Sequence, residues 1–405
     1  MPFRTALSGL NASSAELRVI GNNVANSSTT GFKESRAEFA DIFATSNLGV
    51  TANAIGTGVR VASVSQQFTQ GNVEFTDNNL DLAINGQGFF IMNDNGINVY
   101  TRAGQLGVDR DGFVVNNQQQ QLNIFQADVN GNITGATGPL QLDRSDIAPQ
   151  ATTQIDVGAN LDASLSAPPT AVFDPADASS YNNSTSLTVY DSLGTAHLAT
   201  MYFVKSATPN QWDVRLYMDG TAQGGPNTIE FDSAGAIDTT TFPSTFNIGG
   251  INPGTGAAPM SLSLDFATAS QYGSPFNVNQ LTQDGFATGR LSGIDISDTG
   301  VITSRFTNGQ SRTLGQVAIA TFNNSQGLRQ LGDTSWAETF DSGAPLVGAP
   351  GAGAAGLIES GALEGSNVDL TEQLVGLITA QRNFQANAQV ITTADTITQT
   401  IINIR

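Results

Sequence analysis

The sequence predicts a mixed, mainly β fold in which both ends of the chain are α-helical. Three observations support this prediction: apolar residues at helical spacing at both ends, turn dipeptides at short intervals between them, and a polarity that comes from uncharged residues. Charged residues make up 13% of the 405 residues, against about 25% in an average soluble domain, while hydrophobic residues make up 39% and glycines number 43. The chain can therefore bury several cores and turn often between short strands.

The first helix is predicted over residues 2–26. Its apolar residues repeat with heptad spacing over about three repeats, the lower limit for a coiled coil, and Gly31 follows the polar residues that end the pattern. The apolar stripe that we expect to form an interface consists of Phe3, Leu7, Leu10, Leu17, Ile20 and Val24.

The middle of the chain is predicted to be β-structure from Val59 to about Phe340. Runs of alternating polarity end in dipeptides that favour tight hairpin turns, namely Asn95-Gly96, Asp111-Gly112, Asn130-Gly131, Asp219-Gly220 and Asn308-Gly309. Three runs, 186–190, 198–204 and 212–217, predict a meander. Two segments interrupt the pattern: 162–183 contains three prolines, and 343–356 is nearly all Gly, Ala and Pro, which predicts a linker.

The second helix is predicted from a capping signal at Ser366 or Asp369 to the last few residues, a length of roughly 50 Å. The heptad spacing shortens after Ile391, which indicates a local break in phase. Its apolar stripe, the second part of the expected interface, consists of Leu370, Leu374, Leu377, Phe384, Ile391, Ile397 and Ile401.

The two helical ends have no evident partner except each other or another copy of the chain. An amphipathic helix gains most of its stability by packing its apolar stripe. Between 366 and 405 there are only five charged residues, and Ala, Ser, Thr and Gln occupy faces where an exposed helix usually carries Lys and Glu. This pattern favours a bundle of several copies; the alternative is an intrachain helical pair that covers the β-domains.

Composition excludes several classes of function. The 16 basic and 35 acidic residues give a net charge of −19, which disfavours nucleic-acid binding. The absence of cysteine removes disulfides and thiol chemistry, and His197 as the single histidine makes a multi-histidine zinc site impossible. No segment approaches the length of a membrane helix, so we expect no membrane insertion. The first residues lack the apolar region of a cleavable signal peptide.

No local motif predicts catalysis or a cofactor. Asp109 and Asp111 resemble the start of a calcium loop, but the remaining ligands are missing, so a hairpin turn is the better interpretation. The Gly86-Gln87-Gly88 sequence lacks the third glycine of a nucleotide fingerprint. We expect His197 to be structural. The sequence therefore predicts no enzyme activity, no cofactor and no metal site.

Five separated motifs resemble the axial proteins of the bacterial flagellum, the family of rod and hook subunits. They lie at 8–33, 80–92, 100–115, 307–343 and 363–405, and 307–343 favours hook over rod subunits. The residues that match the family signature are Asn22, Asn23, Asn26, Gly31, Phe32, Lys33, Asn367, Asp369, Gln381 and Arg382.

The resemblance implies a nested domain organisation. Residues 1–26 with 366–405 would form a helical coiled-coil domain, the core layer of an assembled tube, and 27–61 with 344–365 would form a connector. Residues 62–148 with 286–343 would form a discontinuous β-domain, into which 149–285 are inserted as an outer β-domain.

The resemblance also implies a structural function without enzyme activity. The chain would polymerise into the hook, a curved tube that acts as a universal joint between motor and filament. Its partners would be itself, the distal rod protein, the hook-capping protein, the hook–filament junction proteins and the flagellar type III export apparatus. It would be extracellular, exported without a cleavable signal peptide. The alternatives are a distal rod subunit, or a secreted β-rich adhesin or carbohydrate-active protein.

Overall fold

The computed structural model describes residues 2–42, 56–128, 130–143, 145–254 and 256–403. The chain divides into two compact units that are nested in sequence. Unit 1 comprises residues 1–143, 294–304 and 312–405, and unit 2 comprises 144–293 and 305–311. The predicted fold class, mainly β with helical ends and two nested β-rich parts, is confirmed. Residues 43–55, part of the predicted connector, lie outside the described residues.

The helices at the two ends have nearly the predicted bounds: α1 spans Pro2–Ala25 and α2 spans Leu370–Asn403. The start of α2 is set by Asp369, whose Oδ1 accepts the backbone N–H of Thr371 at 2.7 Å and of Glu372 at 3.2 Å. These bonds satisfy amide groups that have no partner within the helix. Asp369 is therefore the N-cap, whereas Ser366 lies outside the helix.

Strands make up nearly half of the chain between the helices. Those that precede unit 2 are β1 (Ser35–Asp41), β2 (Val59–Gln66), β3 (Val73–Phe75), β4 (Leu82–Asn85), β5 (Phe89–Asp94), β6 (Ile97–Thr101), β7 (Gly107–Val108), β8 (Val114–Val115), β9 (Gln121–Ala127) and β10 (Ile133–Pro139). The next are β11 (Gln154–Asp162), β12 (Asn183–Tyr190), β13 (Ala196–Lys205), β14 (Gln211–Met218), β15 (Thr221–Glu230), β16 (Thr245–Ile251), β17 (Met260–Asp265), β18 (Ser270–Tyr272) and β19 (Asn277–Gln283). The last are β20 (Leu291–Ile296), β21 (Val301–Phe306), β22 (Ser311–Val317), β23 (Ile319–Thr321), β24 (Arg329–Gly332), β25 (Ser335–Ala337), β26 (Leu346–Gly348), β27 (Leu357–Ser360) and β28 (Ala362–Glu364).

The core of unit 1 lies on both faces of β5 in its main sheet, where the strand order is β20-β21-β22-β9-β5-β6-β25-β24. One face carries Phe90 and Met92 among mainly aliphatic residues, and the other carries Phe89 against Trp336. Two short pairs, β27 with β4 and β28 with β3, bring the chain that enters α2 beside strands that follow α1. This pairing positions both helices.

Unit 2 contains two sheets around one core. The predicted meander forms β12-β13-β14-β15, with buried and outward residues alternating along β14. The second sheet has the order β16-β17-β11-β18, with β19 also paired to β11. Trp212 and Leu264 lie in the shared core. The Asp219-Gly220 turn has positive φ at both residues, 49° and 80°, as a type I′ hairpin turn requires.

The long segment of unit 2 begins and ends at a paired neck. The N–H of Ile147 donates to the carbonyl of Gly289 at 2.8 Å, and the N–H of Gln150 donates to the carbonyl of Phe286 at 3.0 Å. The two ends of this 143-residue excursion, residues 147 and 289, are therefore adjacent.

Two segments that the sequence predicts to link domains contain strands. The connector at 27–61 contains β1, which pairs antiparallel with β2, and the Gly/Ala/Pro-rich segment 343–356 contains β26, which pairs with β23. A strand ladder needs only backbone groups, so a composition poor in strand-forming side chains does not prevent pairing where a partner edge is available. The proline-containing segment 163–182 has no helix or strand, but it lies within unit 2 and is not a boundary.

Candidate assembly site at the terminal helices

The two terminal helices pack against each other in an antiparallel pair. Near one end of the pair, Asn23 Nδ2 donates to Gln373 Oε1 at 3.1 Å. In the middle, the Cδ1 of Ile20 lies beside Gly376, and further along Gly9 faces the side chain of Asn387. As the residue number decreases along α1, the number of the contacting residue on α2 increases, so the two helices run antiparallel. The intrachain pair that the sequence left as an alternative is thus present.

This pairing covers only part of the predicted interface. The buried residue is Ile20, and the half-buried ones are Leu10, Leu17, Val24, Leu377, Phe384 and Ile391. The exposed ones are Phe3, Leu7, Leu370, Leu374, Ile397 and Ile401. Further apolar residues of α2 that the heptad pattern did not select are also exposed, namely Val375, Ile378, Val390 and Ile402. We call these ten exposed residues the helix surface.

A mostly apolar groove forms part of the helix surface, between the start of α1 and the second half of α2. Phe3, Val390 and Ile397 line it together with alanine and threonine residues. The threonine hydroxyls here bond to backbone carbonyls of their own helix: Thr393 Oγ1 to Gln389 O and Thr398 Oγ1 to Ala394 O, both at 2.8 Å. Because these hydroxyls already have partners, burying them in a water-free contact does not leave them unpaired.

A polar junction ties the end of α1 to the beginning of α2. Asn23 is 1% exposed, and its Nδ2 also donates to Ser35 O at 2.8 Å while its Oδ1 accepts the N–H of Ser35 at 3.0 Å. On the other side, Gln373 Nε2 donates to Glu34 Oε1 at 2.8 Å. Burial raises the pKa of Glu34, although the bond from Gln373 acts in the opposite direction.

Asn367 extends the junction to the strands below. Its Oδ1 accepts the N–H of Glu34 at 2.7 Å, and its Nδ2 donates at 2.8 Å to both Gln67 O and Thr69 Oγ1. One amide side chain thus joins three backbone segments, which explains why an asparagine rather than a larger residue suits this place.

A buried charge cluster lies beside the junction. Glu364 accepts Lys33 Nζ at 2.6 Å on one carboxylate oxygen and Arg102 Nη1 at 3.1 Å on the other, and none of the three side chains is more than 4% exposed. Backbone carbonyls take further donors: Thr69 O from Lys33, and Ile84 O and Gly86 O from Arg102.

The charge cluster contains two cations and one anion, so it carries a net positive charge. Burial lowers the pKa of Lys33, and the attraction of Glu364 opposes this shift only in part. Burial lowers the pKa of Arg102 in the same way. The carboxylate of Glu364 therefore offsets part of the free-energy cost of burying Lys33 and Arg102.

The family-signature residues divide into three groups. Asn23, Gly31, Phe32, Lys33 and Asn367 lie in the junction and the charge cluster beside it, and Gly31 has a φ of 70°, which favours glycine. Asn26 and Asp369 complete helix ends, since Asn26 N–H donates to Asn22 O at 3.1 Å. The remaining residues, Asn22, Gln381 and Arg382, are exposed on the helices.

Among the members of the junction and the charge cluster that sequence reasoning missed are Glu364, Arg102 and Gln373. Charged or amide residues next to apolar strand residues, as in Ala362-Leu363-Glu364 and Tyr100-Thr101-Arg102, were the available signal. Their partners lie far away in the sequence, so the pairing itself could not be read from spacing.

The other candidate residues have structural positions. Asp109 Oδ1 accepts the N–H groups of Asp111 and Phe113 in a hairpin turn, as predicted. In the described ranges, no group of three or more acidic or histidine side chains is arranged to hold a metal ion. Within those ranges, no helix is long and apolar enough to span a membrane.

His197 joins two hairpin loops of unit 2. Its Nδ1 lies 2.6 Å from Asp219 Oδ2 and its Nε2 lies 3.3 Å from Asp191 Oδ2. Burial acts to lower the pKa of His197, but the hydrogen bonds to Asp219 and Asp191 outweigh it, so the pKa is raised. The predicted structural role of this histidine agrees with its 5% exposure.

Comparison with known families covers most of the chain. Residues 3–33 match the flagella basal body rod protein family and 359–404 match the flagellar basal body rod FlgEFG protein C-terminal family. Residues 83–160 match the flagellar hook protein FlgE/F/G D1 domain, and 160–286 match the flagellar basal body protein FlaE D2 domain.

Similar whole proteins are flagellar hook proteins. The chain is 39% identical to the flagellar hook protein FlgE of Escherichia coli K12 and also to that of Salmonella typhimurium LT2, in each case over 100% of both chains. It is 32% identical to FlgE of Borreliella burgdorferi over 99% of this chain and 98% of the relative.

Among solved structures, the fold is similar to that of Helicobacter pylori flagellar hook protein FlgE2. The TM-score is 0.55 at 16% sequence identity, and the match covers 72% of this chain and 100% of the other. At this identity the similarity concerns the fold alone.

Proposed function

The chain belongs to the flagellar hook protein family, and from this membership we propose that it polymerises through its terminal helices into a flexible tube that transmits torque from rod to filament. It is a structural subunit of the flagellar hook, as its full-length relatives are. That similarity favours a hook subunit over the alternatives of a rod subunit or an adhesin.

The observation that carries the proposal is the helix surface. Large apolar residues such as Phe3, Leu374 and Ile401 are 42%, 51% and 64% exposed although both helices already pack against each other. Exposed apolar patches of this kind mark contact sites. A contact between identical subunits that does not close into a ring produces an open helical polymer.

A joint needs some contacts that persist and others that exchange while the tube rotates. We assign the persistent contacts to the helix surface, because its large apolar side chains would be buried between subunits. The threonine hydroxyls of the adjoining groove already have partners and need no water. We assign the exchangeable contacts to unit 2, where exposed residues such as Ser184, Ser186 and Thr188 favour wet and weak contacts. Each protofilament can then lengthen and shorten without dissociating.

The position of the chain in the flagellum defines the remaining proposals. We propose that the distal rod protein, the hook-capping protein and the hook–filament junction proteins contact this polymer, and that the type III export apparatus delivers the subunit outside the cell. We also propose that residues 1–26 with 366–405 form the inner layer, 62–148 with 286–343 the middle domain, 149–285 the outer domain, and 27–61 with 344–365 the connector.

The polymerisation proposal is tested by Ile397→Asp. This side chain is 55% exposed, so the monomer should fold normally, but a charge in the water-free contact would cost several kcal/mol and abolish polymers. Gln385→Glu adds the same charge at an exposed polar position of α2 and should polymerise like the parent chain. Polymers are scored by electron microscopy at rising concentration, and helix content by circular dichroism. Normal tubes from Ile397→Asp would refute the proposal.

The joint proposal is tested by linking outer units within finished polymers. The chain has no cysteine, so Val172→Cys, at a position 78% exposed, introduces a single thiol per subunit. A bifunctional thiol reagent should straighten or stiffen the polymer, whereas a monofunctional reagent should not. Unchanged curvature after efficient cross-linking would contradict the assignment of exchangeable contacts to unit 2.

A further inference from the structure

An aromatic cluster covers the outward face of the meander in unit 2. Tyr202 on β13 and Arg215 and Tyr217 on β14 point away from the core, and Tyr202 and Arg215 are direct partners across the strands. Two residues of the segment 163–182 pack onto them: the ring of Phe173 lies 5.3 Å from that of Tyr202, and the ring of Tyr181 lies 4.9 Å from it.

Arg215 is held in this cluster without an anionic partner among the described residues. Its Cζ lies 4.9 Å from the centroid of the Phe173 ring, so the guanidinium stacks on an aromatic face. Its Nε is enclosed and has no hydrogen-bond partner. Among the described residues, no carboxylate lies within 4.0 Å of its nitrogens. Asp213, two residues earlier on the same face, instead accepts Thr228 Oγ1 at 2.7 Å.

The three tyrosines of the cluster add unused donors. In the described part of the chain, the hydroxyls of Tyr181, Tyr202 and Tyr217 have no protein hydrogen-bond partner. All three residues are half-buried, and Tyr202 and Tyr217 pack with their ring centroids 5.5 Å apart. A stacked guanidinium keeps its outer edge free for bidentate bonds to a carboxylate, and neighbouring phenols can complete such a site.

We infer that Arg215 and its aromatic cluster bind a carboxylate of a second copy of this chain, forming a contact between outer units in the polymer. Acidic residues outnumber basic ones by 35 to 16, so a second copy offers many carboxylates for each free arginine. Polymerisation holds the copies at a high effective concentration, so a contact of low affinity between them is formed most of the time. The inference rests on the proposed polymerisation, which would place this contact in a tube already held by the helices.

The test compares the critical concentration for polymerisation of three variants. Arg215→Glu should raise it about fivefold, the factor that corresponds to roughly 1 kcal/mol for an ion pair. Arg290→Glu is the charge-matched control, because Arg290 is 81% exposed and already lies 3.6 Å from Asp146. Arg215→Met keeps the apolar packing on Phe173, removes the charge, and should raise the critical concentration in the same direction. Thermal unfolding of the monomers checks that each variant folds.

The outcomes separate this inference from the proposed function. If the parent chain and Arg290→Glu polymerise and both Arg215 variants do so at higher concentration, the contact is supported. If all variants polymerise alike, it is overturned while the proposed function stands. If N-acetylneuraminic acid quenches the tyrosine fluorescence of the parent monomer and both Arg215 variants polymerise normally, the site binds an acidic sugar and the inference is overturned. If the parent chain never polymerises, both are overturned.

Discussion

Replacing Glu364 by glutamine removes the single carboxylate of the buried charge cluster while preserving its shape. In the parent protein this carboxylate accepts Lys33 Nζ at 2.6 Å, Arg102 Nη1 at 3.1 Å and the N–H of Gly71 at 2.9 Å. Glutamine keeps one acceptor oxygen but presents an amide to the second cation. Two buried cations then remain without an anion.

The expected loss is about 3–5 kcal/mol of the free energy of unfolding, because removing one partner leaves buried charge uncompensated. A domain of this kind has a total stability of about 5–15 kcal/mol, so unit 1 would become marginal. Glu359→Gln is the matched control: Glu359 lies on the neighbouring β27, is half-buried, and accepts a bond from Asn85 at 3.2 Å. Its replacement should cost less than about 1 kcal/mol.

The assay uses the two tryptophans of the chain, since Trp336 lies in unit 1 and Trp212 in unit 2. Urea unfolding is followed by tryptophan fluorescence in a Trp212→Phe background, so that the signal comes from Trp336 and follows the unfolding of unit 1. Glu364→Gln should lower the midpoint of this transition strongly. In the complementary Trp336→Phe background, the transition of unit 2 should not move.

The pH dependence gives an independent check. Burial lowers the pKa of Lys33 below its ordinary value of 10.5, so in the alkaline interval below 10.5 the unfolded chain binds more protons at this residue than the folded chain. The unfolding free energy of Glu364→Gln should therefore rise with pH in that interval, and Lys33→Met should restore part of the loss. A change of less than 1 kcal/mol at neutral pH, or no rescue by Lys33→Met, would refute the reasoning.

Three further predictions concern other parts of the molecule. The pKa of His197 is raised above 6.5 in the folded state, so the bonds of the protonated ring to Asp219 and Asp191 stabilise unit 2 fully below pH 6.5, and this stabilisation is lost as pH rises through the folded pKa. The stability of unit 2, followed by the fluorescence of Trp212, should therefore fall over this pH rise in the parent but not in His197→Gln, and the same pH dependence in both proteins would contradict the prediction. Gly31→Ala should cost about 1–3 kcal/mol of unit 1 stability, because the residue has a φ of 70° and a Cβ would lie 2.5 Å from Ala103 N; an unchanged Trp336 transition would count against it. Asn23→Ala should cost about 1–3 kcal/mol and speed amide exchange at the start of α2, because Gln373 loses a buried partner; unchanged exchange there would be evidence against the junction.

Local patterns in the sequence predicted the elements but not their long-range partners. The heptad spacing identified α1 and α2 to within a residue or two, and the Asp-Gly dipeptide at 219–220 identified a type I′ turn, because periodicity and backbone preference are local properties. The antiparallel pairing of α1 with α2 depends on contacts such as Asn23 with Gln373, which are 350 residues apart. No spacing rule reaches that distance.

The charge cluster shows the same limit at the candidate site. Lys33 was selected by its family signature, but charged residues are ordinarily exposed, so nothing in the sequence indicated that it is buried against Glu364. The strand β26 was missed for a related reason, since its ladder is formed by backbone groups that every residue carries. The sequence alone therefore did not predict the tertiary context, namely which polar groups are buried away from water and which strand edges pair with each other.

The neck of unit 2 makes the chain between residues 147 and 289 a replaceable module. Because residues 147 and 289 are hydrogen-bonded neighbours, the intervening chain could grow, shrink or be exchanged for another domain without altering the course of the chain on either side. Evolution could thus retune what this module presents to its surroundings while leaving the terminal helices untouched, and a protein engineer could insert foreign cargo at the same position.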